Sequence, residues 1–290
     1  MISVVLPVRN GLPWLDAQLG ALAAQECDEP WEVVVADNGS ADDSVALARS
    51  WADRCGAIRV LDASARAGPA AARNAGIRSA RGELLAFCDA DDVVQPGWLR
   101  ACVDALHDAD VVAGAFDLRS LNGDPEDAVQ PGRLAGPDDG TGPAATSQLG
   151  FLPAGLAANL AARRGPVESV GGFDEGLLVG EDIDLCWRLQ LEGYRFAVAP
   201  TAVVAKRERS GLGPLFRRAV TYGRCGPQLY RRYRSRGAHR DLAGALKSWA
   251  WLVVSVPRLG RRDVRRTWVR GIGVRIGRLI GSASERAFFP

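Results

Sequence analysis

Between residues 2 and 116, short apolar runs alternate with segments of helical periodicity, and that alternation leaves few folds open. ISVVLPV (2–8), WEVVVA (31–36), IRVLDA (58–63), GELLAFCD (82–89) and ADVVAGAF (109–116) have the apolar, largely β-branched character of buried strands. Between them, residues 12–25 space Leu15, Leu19 and Leu22 along one helical face. DDSVALARSWADRC follows a break at DNGS, with Ser40 or Asp42 available as a cap. AGPAAARNAGIRSA (67–80) opens a helix on glycine and proline, and GWLRACVDALHD (97–108) is a further helix. This order predicts an α/β fold whose mostly parallel, doubly wound sheet is covered on both faces. Sheets of that kind bind ligands outside the carboxyl ends of their strands. Residues 117–148, rich in Gly, Pro and Asp, read as a mobile surface loop. Order resumes at 150–200 with GGFDE, a helix from about 181 to 193 and a strand YRFAVAP.

The formal net charge of +2 conceals two opposite halves. Residues 1–205 carry 15 Lys and Arg against 30 Asp and Glu, and residues 206–290 carry 21 against 4. The division suggests a body at 1–205 and a basic helical appendage at 206–290 with an anionic partner. The six cysteines are scattered without a CxxC pair, so they read as reduced thiols of a cytoplasmic protein rather than a zinc site. MISVVLPV reads as a strand rather than a leader, and WAWLVVSVP (249–257) is too short to span a bilayer. There is no GxxxxGK[ST] and no GxGxxG after the first strand, which disfavours a P-loop enzyme or a dinucleotide-binding dehydrogenase.

Three acids crowd into FCDADD, where Asp89, Asp91 and Asp92 follow the apolar run LLAF. Like charges this close repel, and a buried unpaired carboxylate is costly. A solvated turn is one explanation and a divalent-cation site the other. In an extended segment Asp89 and Asp91 share a side, suiting a hard cation that also meets phosphate oxygens, while Asp92 faces away. Asp37, after VVVA, either reads a nucleotide base or caps a turn. Arg73 lies one turn into its helix and either meets phosphate or stays at the surface. Asp182 in GEDIDLCWRL is placed as a general base or as an N-terminal dipole partner.

In order and spacing, VVLPVRN, VVVADNGSADDS, GPAAARNAGI, FCDADD, GGFDE and GEDIDLCWRL resemble the family 2 glycosyltransferases of GT-A fold over residues 1–205. The resemblance implies that Pro7 and Asn10 border the nucleotide and that Asp37 reads the pyrimidine. Arg73 then lies by the nucleotide or pyrophosphate, and Asp89 faces the ribose. Asp91, with Asp89, holds Mg²⁺ or Mn²⁺ on the diphosphate. Glu181 and Asp182 match the pair whose aspartate deprotonates the acceptor hydroxyl, and Asn159 falls where an acceptor is lined. The implied reaction is direct displacement with inversion, from a nucleotide-diphosphate sugar to a glycolipid or polysaccharide hydroxyl. Three positions depart from the pattern: Arg9 replaces an aromatic residue, Ala36 precedes Asp37 where a second acid is usual, and VVAKRERS puts Ala205 or Lys206 where a metal-binding histidine is common. Lys206 is therefore a possible diphosphate contact.

The tail mixes arginine with aromatic residues. Val264, Trp268, Ile272, Ile276 and Leu279 form a stripe expected to lie on an anionic membrane at its inner face, with Gly271, Gly273 and Gly277 weakening the helix. A homodimer interface and a cap on the catalytic body are the alternatives, and no nucleic-acid module is recognisable. Two rivals to the transferase remain, a sugar-phosphate nucleotidyltransferase and a non-catalytic nucleotide-sugar-binding module of a membrane assembly. RNGLPW lacks the glycine- and lysine-rich loop the first would need, and the intact acids speak against the second.

Overall fold

The computed structural model of the chain describes residues 1–118, 120–122, 146–207 and 211–289. Most of the stretch read as a surface loop, residues 119 and 123–145, lies outside the described residues, as do 208–210. An eight-stranded sheet organises the body in the order β3-β2-β1-β4-β9-β6-β10-β5. Its strands are β1 (Ile2–Val8), β2 (Trp31–Asp37), β3 (Ile58–Asp62), β4 (Leu84–Cys88), β5 (Val93–Val94), β6 (Val111–Asp117), β9 (Asn159–Arg163) and β10 (Phe196–Ala205). A separate short pair joins β7 (Thr146–Ser147) to β8 (Pro153–Ala154).

The expected parallel core is present, with β1 pairing in parallel with β2 and β4, and β2 with β3. The sheet is nonetheless mixed. β9 runs antiparallel between β4 and β6, with Cys88 opposite Asn159 and Ala113 opposite Leu160. The pattern AANLAARR does not announce this strand, because alanine favours helix over strand when nothing else decides.

Alternate side chains go to opposite faces, as the two-residue strand period requires. Ile2, Val4 and Leu6 pack beneath α1 (Leu15–Ala23), α2 (Ser44–Arg54) and α4 (Trp98–Ala105). Val5, Leu85 and Phe87 join the other core, with α3 (Pro69–Ser79), α5 (Arg164–Ser169) and α6 (Glu181–Leu191). Asp42, rather than Ser40, supports the start of α2 by accepting the Ser44 N–H at 3.1 Å. Ser40 accepts the Asn10 N–H instead.

Four helices follow: α7 (Leu212–Gly223), α8 (Cys225–Tyr233), α9 (Leu242–Val254) and α10 (Arg262–Glu285). Composition changes at 205 but packing does not break there. Leu229 and Tyr233 of α8 sit in the same core as Phe87 and Trp187. The Tyr233 ring meets Trp187 edge-on at 5.0 Å. α10 is one continuous helix of 24 residues, and its glycines have a different role from the one expected. Gly273 and Gly277 face α7 so closely that a Cβ at Gly277 would fall on the Val220 carbonyl oxygen, and one at Gly273 would come 2.8 Å from Ala219 Cβ. Gly223 of α7 answers from the other side, against Val274. The glycines let two helix backbones touch, which repays their cost in helix propensity.

Candidate active site

The parallel strands deliver the sequence-predicted residues to one edge of the sheet. Pro7 stands opposite Ala36 and Val8 opposite Asp37, at the carboxyl ends of β1 and β2. Asp89 follows the end of β4, Lys206 follows β10, and Asn159 opens β9 opposite Cys88. Asn10 takes the left-handed conformation (φ 54°) and accepts the Ala41 N–H at 2.8 Å, tying the first loop to the second. Asp37 is buried and accepts the Gly39 and Ser40 N–H groups at 3.2 and 3.3 Å. Asn38, which the sequence gave no reason to single out, donates to the carbonyls of Ala63 and Arg66 and accepts the Gly68 N–H. It thereby fixes the loop after β2 against the start of α3.

Arg73 is buried and joins two of the predicted acids. Its Nη1 lies 2.8 Å from Glu181 and its Nη2 2.9 Å from Asp89. Burial alone would weaken its charge, but Asp89 and Glu181 outweigh burial and hold the guanidinium more firmly protonated than usual. Burial likewise pushes Asp89 up, and Arg73 with Lys206 brings it below the ordinary carboxylate range. Glu181 behaves oppositely: burial, then the neighbouring Asp182 charge, raises it to about 7 despite Arg73.

Residues 89–92 form a turn rather than an extended segment, so Asp92 does not face away. Oxygens of Asp89, Asp91 and Asp92 all lie within 4.8 Å of one another. Asp92 is only 1% exposed, accepts the Arg207 N–H at 2.8 Å and lies 2.9 Å from the Lys206 ammonium. Burial raises its carboxyl to about 6, with Asp89 and Asp91 adding to the rise and Lys206 opposing it. Lys206, rather than Ala205, is thus the residue that enters the acid cluster. Its ammonium also reaches Asp89 at 4.0 Å and the Phe116 ring at 5.2 Å from the centroid. The cluster is a partial fit to Mg²⁺ or Mn²⁺. The donor type is right for a hard cation, but Lys206 and Arg73 already engage two of the three carboxylates, which leaves Asp91 as the most available oxygen donor.

Asp182 opens α6 and is held by two backbone donors, the Ala157 N–H at 3.1 Å and the Ile183 N–H at 2.8 Å. Burial raises its carboxyl above the ordinary range, against those donors and Arg73. The preceding Gly180 has φ 84°, and a side chain there would strike Cys225 Sγ. Only glycine meets both demands. One turn into α6, the fully buried Asp184 accepts from Arg188 (2.7 Å), Arg232 (2.6 Å) and the Tyr233 hydroxyl (2.7 Å). α8 therefore clamps the helix that carries the candidate base.

Asn159 departs from its expected role. It is fully buried, its Oδ1 accepts the Trp98 indole N–H at 2.8 Å, and its Nδ2 donates to the carbonyls of Ala115 and Ala202 at 2.7 and 2.9 Å. With those bonds made, it locks β9 to its neighbours. A cavity of about 460 Å³ lies over the acid turn, lined by Asp89, Asp91, Lys206, Arg207 and, from α7, Arg217, Arg218 and Tyr222. The sequence displayed the arginines of α7 as tail charge and gave no sign that they would return to the acids.

The model of "Glycosyl transferase family 2" matches residues 3–150. The chain belongs to glycosyltransferase family 2. Among curated relatives, this chain is 31% identical over 264 residues to the pre-mycofactocin glycosyltransferase of Mycobacterium tuberculosis, covering 88% of this chain and 53% of that protein. The chain thus spans about half the length of that relative. It is 27% identical over 270 residues to the glycosyltransferase AglE of Haloferax volcanii, covering 92% and 86% of the two chains. Among solved structures, the mannosyltransferase PcManGT of Pyrobaculum calidifontis, in complex with GDP-Man and Mn²⁺, is similar at a TM-score of 0.64 and 18% identity over 97% of this chain and 86% of that one. TarS 1-349 of S. aureus, in complex with UDP-GlcNAc, matches at a TM-score of 0.55 and 17% identity, over 100% and 93%. These likenesses show the GT-A fold. The family assignment rests on the family match and the curated relatives.

Proposed function

We propose that this glycosyltransferase moves a sugar from a nucleotide-diphosphate donor to an acceptor hydroxyl with inversion at the anomeric carbon. One observation carries the reading: the ion-paired chain Asp89–Arg73–Glu181 runs from the acid turn to the residue beside Asp182. A single buried arginine thereby sets the distance between the donor's diphosphate and the base. Asp182 takes the proton of the acceptor hydroxyl as that oxygen attacks the anomeric carbon, and the nucleoside diphosphate departs with the bonding electrons. Burial raises its carboxyl above the ordinary range, which makes its carboxylate a stronger base, and its two N–H donors fix its direction. Asp37 and Asn10 sit where the nucleoside would lie, at the ends of β2 and β1. Lys206, Arg207 and Arg218 supply positive charge to the diphosphate pocket. Asp91, with Asp89, would hold Mg²⁺ or Mn²⁺, whose contribution is charge neutralisation of the leaving diphosphate.

The acceptor we infer is a lipid-linked or polysaccharide precursor, reached at the inner face of the cell membrane. The basic tail favours this, as does 33% identity over 186 residues to the succinoglycan biosynthesis protein ExoO of Rhizobium meliloti. The test is Asp182→Asn: turnover falls by at least ~10²-fold, the scale of general-base catalysis, while nucleoside diphosphate binding measured by calorimetry stays within about twofold. Retained turnover removes Asp182 from the mechanism.

A further inference from the structure

α9 leaves a broad apolar surface uncovered. Leu246, Val253 and Val254 are 72%, 71% and 67% exposed, and Leu242, Trp251 and Val256 are exposed beside them. At about 100° per residue, Leu242, Leu246 and Val253 fall within roughly 40° of one another, and Val254 and Trp251 lie roughly 80° and 140° further round, so the exposed apolar side covers about half the helix circumference. The opposite side of the helix is the one that packs. Ala245 and Leu252 are buried, and the Trp268 indole donates to the Leu252 carbonyl at 2.9 Å. An apolar face of this extent on a folded protein marks an interaction surface.

The charges around the face identify its occupant. Residues 242–262 contain no Asp or Glu, while Lys247, Arg258 and Arg262 are basic and exposed. A second copy seated on the same face would set these like charges against each other. A surface of anionic lipid offers apolar depth for the leucine and valine side chains, an interfacial layer for Trp251 and opposite charge for the rim. We propose that the face formed by Leu242–Val254 and the turn Val256–Arg258 seats the protein on an anionic bilayer. This deepens the membrane reading above by naming the face, and it moves the contact away from the stripe on α10, whose glycines are spent against α7.

The test uses the full chain with vesicles of phosphatidylcholine alone or with one-third phosphatidylglycerol. The wild type should float with the anionic vesicles, release in high salt and ignore the neutral ones. Leu246→Glu with Val253→Glu should lower the bound fraction at least tenfold, whereas Leu279→Glu with Ile280→Glu, on exposed positions of α10, should leave it unchanged. Lys247→Glu with Arg258→Glu gives a second reading of the same face and should abolish the salt-sensitive part. Nucleoside diphosphate binding, retained in all variants, keeps the outcome separate from the transferase reading. Wild-type protein that ignores anionic vesicles, equal binding by the α9 and α10 variants, or a dimer in sedimentation that Leu246→Glu breaks would each overturn the proposal.

Discussion

The Lys206 ammonium lies 2.9 Å from Asp92 at the floor of the acid turn, so a lysine fixed by β10 occupies the flank of the cluster proposed to meet the donor. Burial works against its charge, and Asp92 with Asp89 more than restores it. We expect Lys206→Ala to lose about tenfold in nucleoside diphosphate affinity, some 1.4 kcal/mol, in EDTA as well as in Mg²⁺ or Mn²⁺. Calorimetric titration in both buffers checks this. An unchanged affinity in EDTA would reduce Lys206 to a counter-ion for Asp92.

Arg218 reaches the same cavity from α7, half-buried against Tyr222. Burial opposes its charge, while Tyr222 and the acids Asp91 and Asp89 strengthen it. A charge-assisted contact that remains partly solvated is worth about 1 kcal/mol. Arg218→Gln should therefore weaken nucleoside diphosphate binding roughly fivefold, with a shallower salt dependence than the wild type. Arg78→Gln, exposed on α3, should change neither quantity.

Glu181 predicts a pH signature. Its carboxyl stands at about 7 in the fold against an ordinary 4.5, so the folded state binds the extra proton between those values. Stability from this group is then complete below about 4.5 and is lost as pH rises to about 7, at about 1.4 kcal/mol per unit of separation. Glu181→Gln cannot titrate. Its stability relative to the wild type should rise from pH 4.5 to 7 and stay level above, as urea denaturation at several pH values would record. A constant difference across that range would show that Glu181 is not displaced.

The glycine contact between α7 and α10 makes a mechanical prediction. Leucine at position 277 would drive its Cβ into the Val220 carbonyl and toward the Gly223 Cα. Overpacking of this kind costs about 2 kcal/mol. Gly277→Leu should lower the denaturation midpoint and also depress turnover, because α7 walls the cavity over the acid turn proposed to take the donor. Gly260→Ala, with nothing near its Cβ position, is the control.

How far the sequence could be read follows from which interactions are local. The strands β1 to β4 and their helices declare themselves through period and caps, and their carboxyl ends bring Pro7, Asn10, Asp37 and Asp89 to one edge as the fold class demands. Arg73 was legible as a charge near a helix start, but its partner Glu181 lies 108 residues away and no local pattern announces it. Asp92 faces its neighbours because the chain turns where the spacing predicts an extended backbone. The three partners of Asn159 come from three separate segments, a fact visible only once β9 is inserted. The glycines of α10 looked like helix breakers because their reason is another helix.

The clamp of α8 on α6 has a consequence for the living history of the chain. A polypeptide emerging amino-terminus first can pair β1 through β4 before α8 exists. Asp184, however, is fully enclosed, and with Arg188 as its only partner so far its Oδ1 stays without a donor until Arg232 and Tyr233 arrive 48 and 49 residues later. The helix bearing the candidate base therefore gains its final seat only after the polypeptide has been extended well past the sheet. Synthesis itself acts as a timer: the carboxyl edge of the parallel strands is laid down early, and the helix bearing Asp182 is braced late.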